Sequence, residues 1–418
     1  MRIFKFGGAS VKNPDAVKNV AEVLQHEGTE NTLVVISAMG KMTNAFEKVV
    51  EAYCYQKENL ENAILFIKNF HQEMMEGLFD KDHDVFSIVN NLFGELAGFM
   101  ATNKSLDYNY IYDQIVGYGE LLSTTIVSHY LISINIENNW LDVRNCIKTD
   151  ANYRDAKINW EATQQAIHEQ VTLSSLHITQ GFLGSNEKND TTTLGREGSD
   201  YTAGIFAYCL DAESVTIWKD VPGVLNADPR VFDNTELLTK ISYTEAIEMA
   251  FYGASVIHPK TIQPLEQKQI PLFVRSFENV NQQGTQVTKA IGIEPLTPCF
   301  IVKKNQILIS IAAKDFSFMV EDNISHVFQK LHEHKLKVNL IQNSAISFSV
   351  CVEDKFGNFQ QFINDLQYSY SIKSYHNVAL YTVRHFDNSA IESILKRGKS
   401  IIRQINTETA QLVIQENV

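Results

Sequence analysis

Thr191-Thr-Thr-Leu-Gly-Arg-Glu-Gly-Ser-Asp-Tyr-Thr-Ala203 gathers hydroxyls, two glycines, a guanidinium and carboxylates at the mouth of an expected helix. Glycines at 195 and 198 let the backbone approach a ligand closely. The helix opening near Ser199 offers unpaired N–H groups and a positive dipole end, and Arg196 can grip a carboxylate through two parallel hydrogen bonds. This is the chemistry of a site for an anion. Taken alone, the same residues also describe a polar loop with an ordinary N-cap.

Working outward, the N-terminus supplies a second glycine turn. Arg2-Ile-Phe-Lys-Phe6 reads as a buried strand interrupted by Lys5, and Gly7-Gly8-Ala9-Ser10 follows, ahead of a helical pattern through Val17, Val20, Ala21 and Leu24. A lysine at the carboxyl end of a strand beside a diglycine is placed to meet phosphate oxygens. The turn matches neither the P-loop nor the dinucleotide fingerprint, so a snorkelling lysine at a plain turn stays open. Further strands are expected at 32–38, 140–144, 176–183, 214–218 and 271–275, with helices between them. That alternation predicts an α/β fold, a mainly parallel sheet sandwiched by helices, with ligands gathering at the carboxyl ends of the strands, where Lys5, Phe182 and Asp220 fall. Residues 44–131 are almost continuously helical and read as an insertion, a water-excluding lid or a scaffold.

Taken in chain order, Lys5-Phe-Gly-Gly-Ala-Ser10, Met42-Thr-Asn44, Gly119-Glu-Leu-Leu-Ser123, Thr179-Gln-Gly-Phe182, the 191–203 segment, Lys219-Asp-Val-Pro-Gly223, Asp228-Pro-Arg230 and Tyr252-Gly-Ala-Ser-Val-Ile-His-Pro259 resemble the motifs of aspartate kinases. The resemblance is specific over about the first 285 residues. It implies the amino-acid kinase fold over 1–291 and transfer of the ATP γ-phosphoryl group to the side-chain carboxylate of L-aspartate. A weaker resemblance continues to the end.

The proline-bearing stretch Gly292-Ile-Glu-Pro-Leu-Thr-Pro298 reads as a linker, 292–298. Beyond it, over 299–418, strands and helix faces run β-α-β-β-α-β through about 305–377. A partial copy occupies about 379–418, with a strand at 299–303 completing it. This layout resembles the paired α+β, ferredoxin-like ACT domains of aspartate kinases, here without the terminal helix usual in that family. The resemblance implies a homodimer or higher homo-oligomer through this region.

Composition excludes several other classes. A chain of 418 residues is too long for one ordinary core, and 44% hydrophobic with 20% charged residues describes a globular protein. No apolar run is expected to span a membrane, and the start lacks a signal-peptide pattern. The five cysteines, 54, 146, 209, 299 and 351, are odd in number and widely spaced, which predicts reduced thiols and a cytoplasmic location. A net charge of −13 disfavours nucleic acid as a partner. His332-Glu-His334 falls on a helix, where residues two apart face different ways, so it reads as a solvated face. No Gly-x-Ser-x-Gly elbow supports a hydrolase.

The resemblance also implies roles. An aspartate carboxylate is already ionised near neutrality, so the reaction needs alignment and charge neutralisation, not a general base. Lys5 would meet the transferring phosphoryl group and Asp200 would orient that lysine. Arg196 and Ser199, with Gly198 and Phe182 in the wall, would hold the aspartate carboxylates; Thr43 would bond nearby and Glu120 would pair with the ammonium. ATP would be cradled by Gly7, Gly8 and Ser10 and bound by Lys219, Asp220, Leu225, Arg230, Ser255 and Val256, with Mg²⁺ held through its phosphates and no protein metal cage. Four departures stand out. Leu225 replaces a frequent aromatic residue, Ser255 a common lysine, and Glu197 a frequent glycine, so Glu197 is expected to turn outward or pair with a lysine. Asn339 and Ala345 leave the Val338–Ala345 segment without the acidic residues of lysine-inhibited members, which predicts weak or no lysine feedback. A catalytically weakened paralogue that senses amino acids, or another carboxylate kinase of the same fold, remains the alternative. A fused homoserine dehydrogenase does not fit the length.

Overall fold

The computed structural model describes residues 1–254, 257–289, 292–315 and 317–416. The chain divides into two units, one comprising Met1–Val224, Leu237–Ile247 and Val256–Glu294, the other Leu225–Glu236, Glu248–Ser255 and Pro295–Val418.

The first unit opens with strand β1 (Arg2–Phe6), helix α1 (Pro14–Glu27) and strand β2 (Thr32–Ile36). The helices α2 (Met42–Tyr55), α3 (Leu60–Glu76), α4 (Val85–Thr102), α5 (Tyr108–Val116) and α6 (Tyr118–Ser133) follow. Next come β3 (Asn139–Leu141), the one-turn α7 (Val143–Cys146), α8 (Trp160–Gln170) and β4 (Leu176–Gln180). The short hairpin β5 (Leu183–Ser185) and β6 (Thr191–Thr193), then α9 (Gly198–Cys209) and β7 (Ser214–Lys219), lead to the remaining strands.

The centre of the sheet runs β7-β1-β2-β4-β3, all parallel. The strand Leu272–Ser276 extends it in parallel, and Thr285–Thr288 then turns antiparallel. Strand β2 is buried at every position, as expected where both faces of a parallel sheet are covered. Helix α1 begins where Asn13 accepts from the Ala16 N–H and Pro14 takes the first turn, and it buries Val17, Val20, Ala21 and Leu24. Lys5 is the one charged side chain of β1 that this core hides, at 8% exposure, with Val35 and Ile217 as strand neighbours.

Three strands end sooner than expected, β2 at Ile36 among them. Leu141 ends β3 because Asp142 caps α7, its carboxylate accepting from the Arg144 N–H. β4 ends at Gln180, because Phe182 adopts a left-handed backbone and Leu183 starts a separate strand. Contrary to expectation, one helix among the described residues, α4, is long and apolar enough by length and composition to cross a membrane. Its Val85, Val89, Phe93 and Leu96 nevertheless join the main core, at i, i+4, i+8 and i+11.

The second unit is built on a six-stranded antiparallel sheet in the order Lys337–Asn343, Ser347–Glu353, Cys299–Ala313, Tyr370–Arg384, Thr409–Glu416 and Gly398–Ile405. Helices Glu321–Glu333 and Phe359–Leu366 cover one core, with Ile309, Ile311, Val350 and Phe362. Helix Asn388–Leu395 covers another, with Tyr381, Val383, Leu412 and Ile414. Expected strands 299–303 and 307–311 are one strand, and so are 370–376 and 379–385.

Candidate active site

At the carboxyl ends of β1, β2, β4 and β7, a cavity of about 350 Å³ is lined by Lys5, Ser37, Thr43, Glu120, Phe182, Gly195, Glu197, Gly198, Ser199, Asp200 and Lys219. Nine of these were read from the sequence: Lys5, Thr43, Glu120, Phe182, Gly195, Gly198, Ser199, Asp200 and Lys219. They come from six separate segments of the chain, and the parallel sheet delivers them to one edge.

Two backbone approaches shape the wall. A Cβ on Gly8 would sit 2.5 Å from the Gly40 carbonyl oxygen and 2.9 Å from that of Ala38, so the turn after β1 packs directly on the turn after β2. A Cβ on Gly181 would lie 2.4 Å from the Ser199 Cβ, so only glycine lets the start of α9 come up against the end of β4. Phe182 then holds φ at 71°, unusual for an aromatic residue, with its N–H bonded to Thr202 Oγ1 at 3.0 Å.

The charges are arranged around Asp200. Lys5 Nζ lies 2.7 Å from Asp200 Oδ1 and Lys219 Nζ 3.9 Å from Oδ2. Burial alone would raise the Asp200 pKa; the two lysines, with a smaller pull from His258, outweigh it and hold the group ionised below its usual range. Glu120 sits in the first turn of α6, fully enclosed. Burial pushes its pKa up to about 8, with partial relief from the Ala38 N–H, which donates to Oε1 at 3.3 Å. Its second oxygen, Oε2, is buried with no partner. A carboxylate with one unfilled acceptor in a closed wall is suited to an ammonium group.

Glu197 does not turn outward, and among the described residues it pairs with no lysine. It lines the cavity at the N-terminal boundary of α9 in a left-handed conformation, φ 54°, and its Oε2 is buried without a partner. The left-handed backbone explains why glycine would suit this position, and it aims the carboxylate inward. Arg196 is exposed on the same loop and is absent from the cavity wall. Gly7 lies against Lys5, since a Cβ there would be 3.3 Å from Nζ, and the buried Ser10 hydroxyl has no partner. Asp220 is exposed. Leu225 and Arg230 belong to the other unit, where Arg230 is bidentate on Asp228. Ser255 and Val256 lie outside the described residues. Lys260, which could have reached toward phosphates, is paired with Asp155. Sequence reasoning passed over Ser37 as a wall residue, although its place directly after β2 was a usable signal.

Comparison with known proteins agrees with this geometry. The sequence model of the amino acid kinase family matches residues 1–276. The lysine-sensitive aspartokinase 3 of Escherichia coli (strain K12) is 32% identical over 364 residues, covering 84% of this chain and 78% of that protein. The chloroplastic bifunctional aspartokinase/homoserine dehydrogenase 2 of Arabidopsis thaliana is 30% identical over 366 residues, of which the match takes in only 39% of its length. Crystal structures of E. coli aspartokinase III superpose at 27% identity, covering 99% of this chain and 96% of theirs. The TM-score is 0.82 for the complex with lysine and aspartate and 0.80 for that with aspartate and ADP.

Proposed function

Because the chain belongs to the amino acid kinase family and, within it, to the aspartokinases, we propose that it transfers the γ-phosphoryl group of ATP to the β-carboxylate of L-aspartate, giving 4-phospho-L-aspartate and ADP. One aspartate oxygen forms the new bond to γ-phosphorus as the bond from that phosphorus to the β-phosphate oxygen breaks, and no proton changes hands. The barrier is then largely one of pressing two anions together in line.

The observation that carries the reading is a single cavity lined by two ammonium groups, Lys5 and Lys219, and by the Glu120 carboxyl group with its unfilled acceptor. Lys5 and Lys219 neutralise the transferring phosphoryl group, and Asp200 fixes Lys5 in place by a charge-assisted hydrogen bond. Glu120 takes the substrate ammonium, and Ser199 with Thr43 bonds its carboxylates. Arg196, on a loop flanked by glycines, closes over them from outside. Gly7, Gly8 and Ser10 present the turn that faces the phosphates; Leu225 and Arg230 are carried to the nucleotide by the resemblance alone. Mg²⁺, held through the nucleotide phosphates, would supply further charge neutralisation, and the unpartnered Glu197 Oε2 would be an available acceptor on this side of the cavity.

Trapping the product with hydroxylamine tests the assignment. Aspartyl hydroxamate is expected from ATP and aspartate, with the rate reduced about 10³-fold or more in Lys5→Ala. Hydroxamate from glutamate or acetylglutamate in preference to aspartate would replace it with another carboxylate kinase. No product from any of them would favour a sensing paralogue.

A further inference from the structure

We propose that His83, Asp84 and His129 form a binding site for a divalent transition metal of the zinc class, separate from the reaction centre. His83 and Asp84 end the connection between α3 and α4, and His129 lies near the carboxyl end of α6. The structure brings two imidazoles and one carboxylate from distant parts of the chain to a point, with one donor atom of each within 4.8 Å of the others.

The spacing fits a single ion. Asp84 Oδ1 stands 3.1 Å from His83 Nδ1 and 3.8 Å from His129 Nδ1. Ligands at about 2.0–2.1 Å from one tetrahedral ion are roughly 3.3 Å apart, so these values bracket what coordination requires. His83 Nδ1 accepts from the Val85 N–H at 3.1 Å, so its proton sits on Nε2 and Nδ1 is the basic nitrogen, whose lone pair a metal would take in place of that hydrogen bond. Beside the cluster a cleft of about 480 Å³, lined by His83, Phe79, Asp80 and Tyr130 among others, gives a hydrated ion access and room for a fourth ligand.

The donor set decides the class of ion. Two imidazole nitrogens and one carboxylate oxygen suit Zn²⁺, Co²⁺ or Ni²⁺ and disfavour Mg²⁺, which prefers an all-oxygen octahedron. Occupancy would tie the start of α4 to α6, the helix that carries Glu120 at its other end, and so stiffen a segment of the helical insertion.

Titration calorimetry of the full chain with Zn²⁺, without nucleotide and with excess Mg²⁺ present, tests this. The expected result is one saturable site per chain with a dissociation constant on the order of micromolar, weakened at least about tenfold in His129→Ala and in Asp84→Asn. Cobalt substitution should give the visible absorption of a tetrahedral site in the wild type and lose it in both variants. Asp84 is exposed, so Asp84→Asn keeps the test available if His129→Ala fails to fold. Absence of saturable binding below about a millimolar, or binding that both variants leave unchanged and so belongs to thiols, would overturn the proposal.

Discussion

Glu120 and Asp200 show how burial and neighbours drive two carboxyl groups of one cavity to opposite protonation states. Asp200 is ringed by ammonium groups and stays charged; Glu120 has one backbone donor and is held mostly protonated near neutrality. Binding an ammonium group at Glu120 therefore requires it to lose a proton. The KM for aspartate is expected to fall as pH rises toward 8, and Glu120→Gln should raise KM at least about tenfold and remove that slope. The same shift has a stability consequence. A pKa raised from 4.5 to about 8 means that the folded state holds an extra proton across that interval. The contribution is full below 4.5 and is lost as pH rises through about 8. Ligand-free Glu120→Gln, which never ionises, should gain in melting temperature relative to wild type between pH 5 and pH 8.5; parallel melting curves across that range would show that Glu120 is not held neutral. At this scale, Lys5 was legible as a charge interrupting an apolar strand and Ser199 and Asp200 as part of a glycine-bearing helix mouth, whereas Glu120 was reached only through the family resemblance. Glu197 was expected to turn outward or pair with a lysine because its charge would repel ATP, and its left-handed backbone turns it inward instead.

Elements were legible where the hydrophobic period was unbroken and illegible where a local signal contradicted the sheet. The central strands and the run of helices from α2 to α6 follow their apolar patterns closely. In the second unit, separate strands were expected at 299–303 and 307–311, and at 370–376 and 379–385. Asn305 and Asn377 do adopt left-handed backbones, φ 56° and 54°, but the strands Cys299–Ala313 and Tyr370–Arg384 absorb them, with register shifts at 303–308. A turn residue thus became an irregularity within a continuous ladder. The glycine turns of the first unit give the converse lesson, since there the local signal and the tertiary demand agree. Gly8→Ala would place a methyl group 2.5 Å from the Gly40 carbonyl oxygen, which is backbone and cannot swing away. The turn after β1 must then lift off the turn after β2. The expected outcome is a loss of roughly 1–3 kcal/mol of stability together with a raised KM for ATP, checked by denaturant melts and steady-state kinetics. Unchanged values in both would mean that the two turns do not need to touch.

For the chain as a whole, kinship leaves regulation open: one relative is a lysine-sensitive aspartokinase, whereas the resemblance implies acidic residues in the 338–345 segment of lysine-inhibited members and this chain has Asn339 and Ala345 there. An effector shifts activity only by the difference between its affinities for two states, so a weak site can produce only a weak effect. In the second unit, Asn339 already accepts from the Lys303 ammonium at 2.8 Å and donates to Gln306 Oε1 at 2.7 Å. Lys303 is itself strained in this setting: burial first, then the neighbouring Lys337, lowers its pKa. A second ammonium brought to Asn339 would meet these cations and find no carboxylate at position 339 or 345 to offset its desolvation. Kinase activity is therefore expected to stay within about twofold of its uninhibited value at millimolar lysine, and calorimetry should detect no lysine binding at that concentration. Sub-millimolar inhibition would refute this expectation.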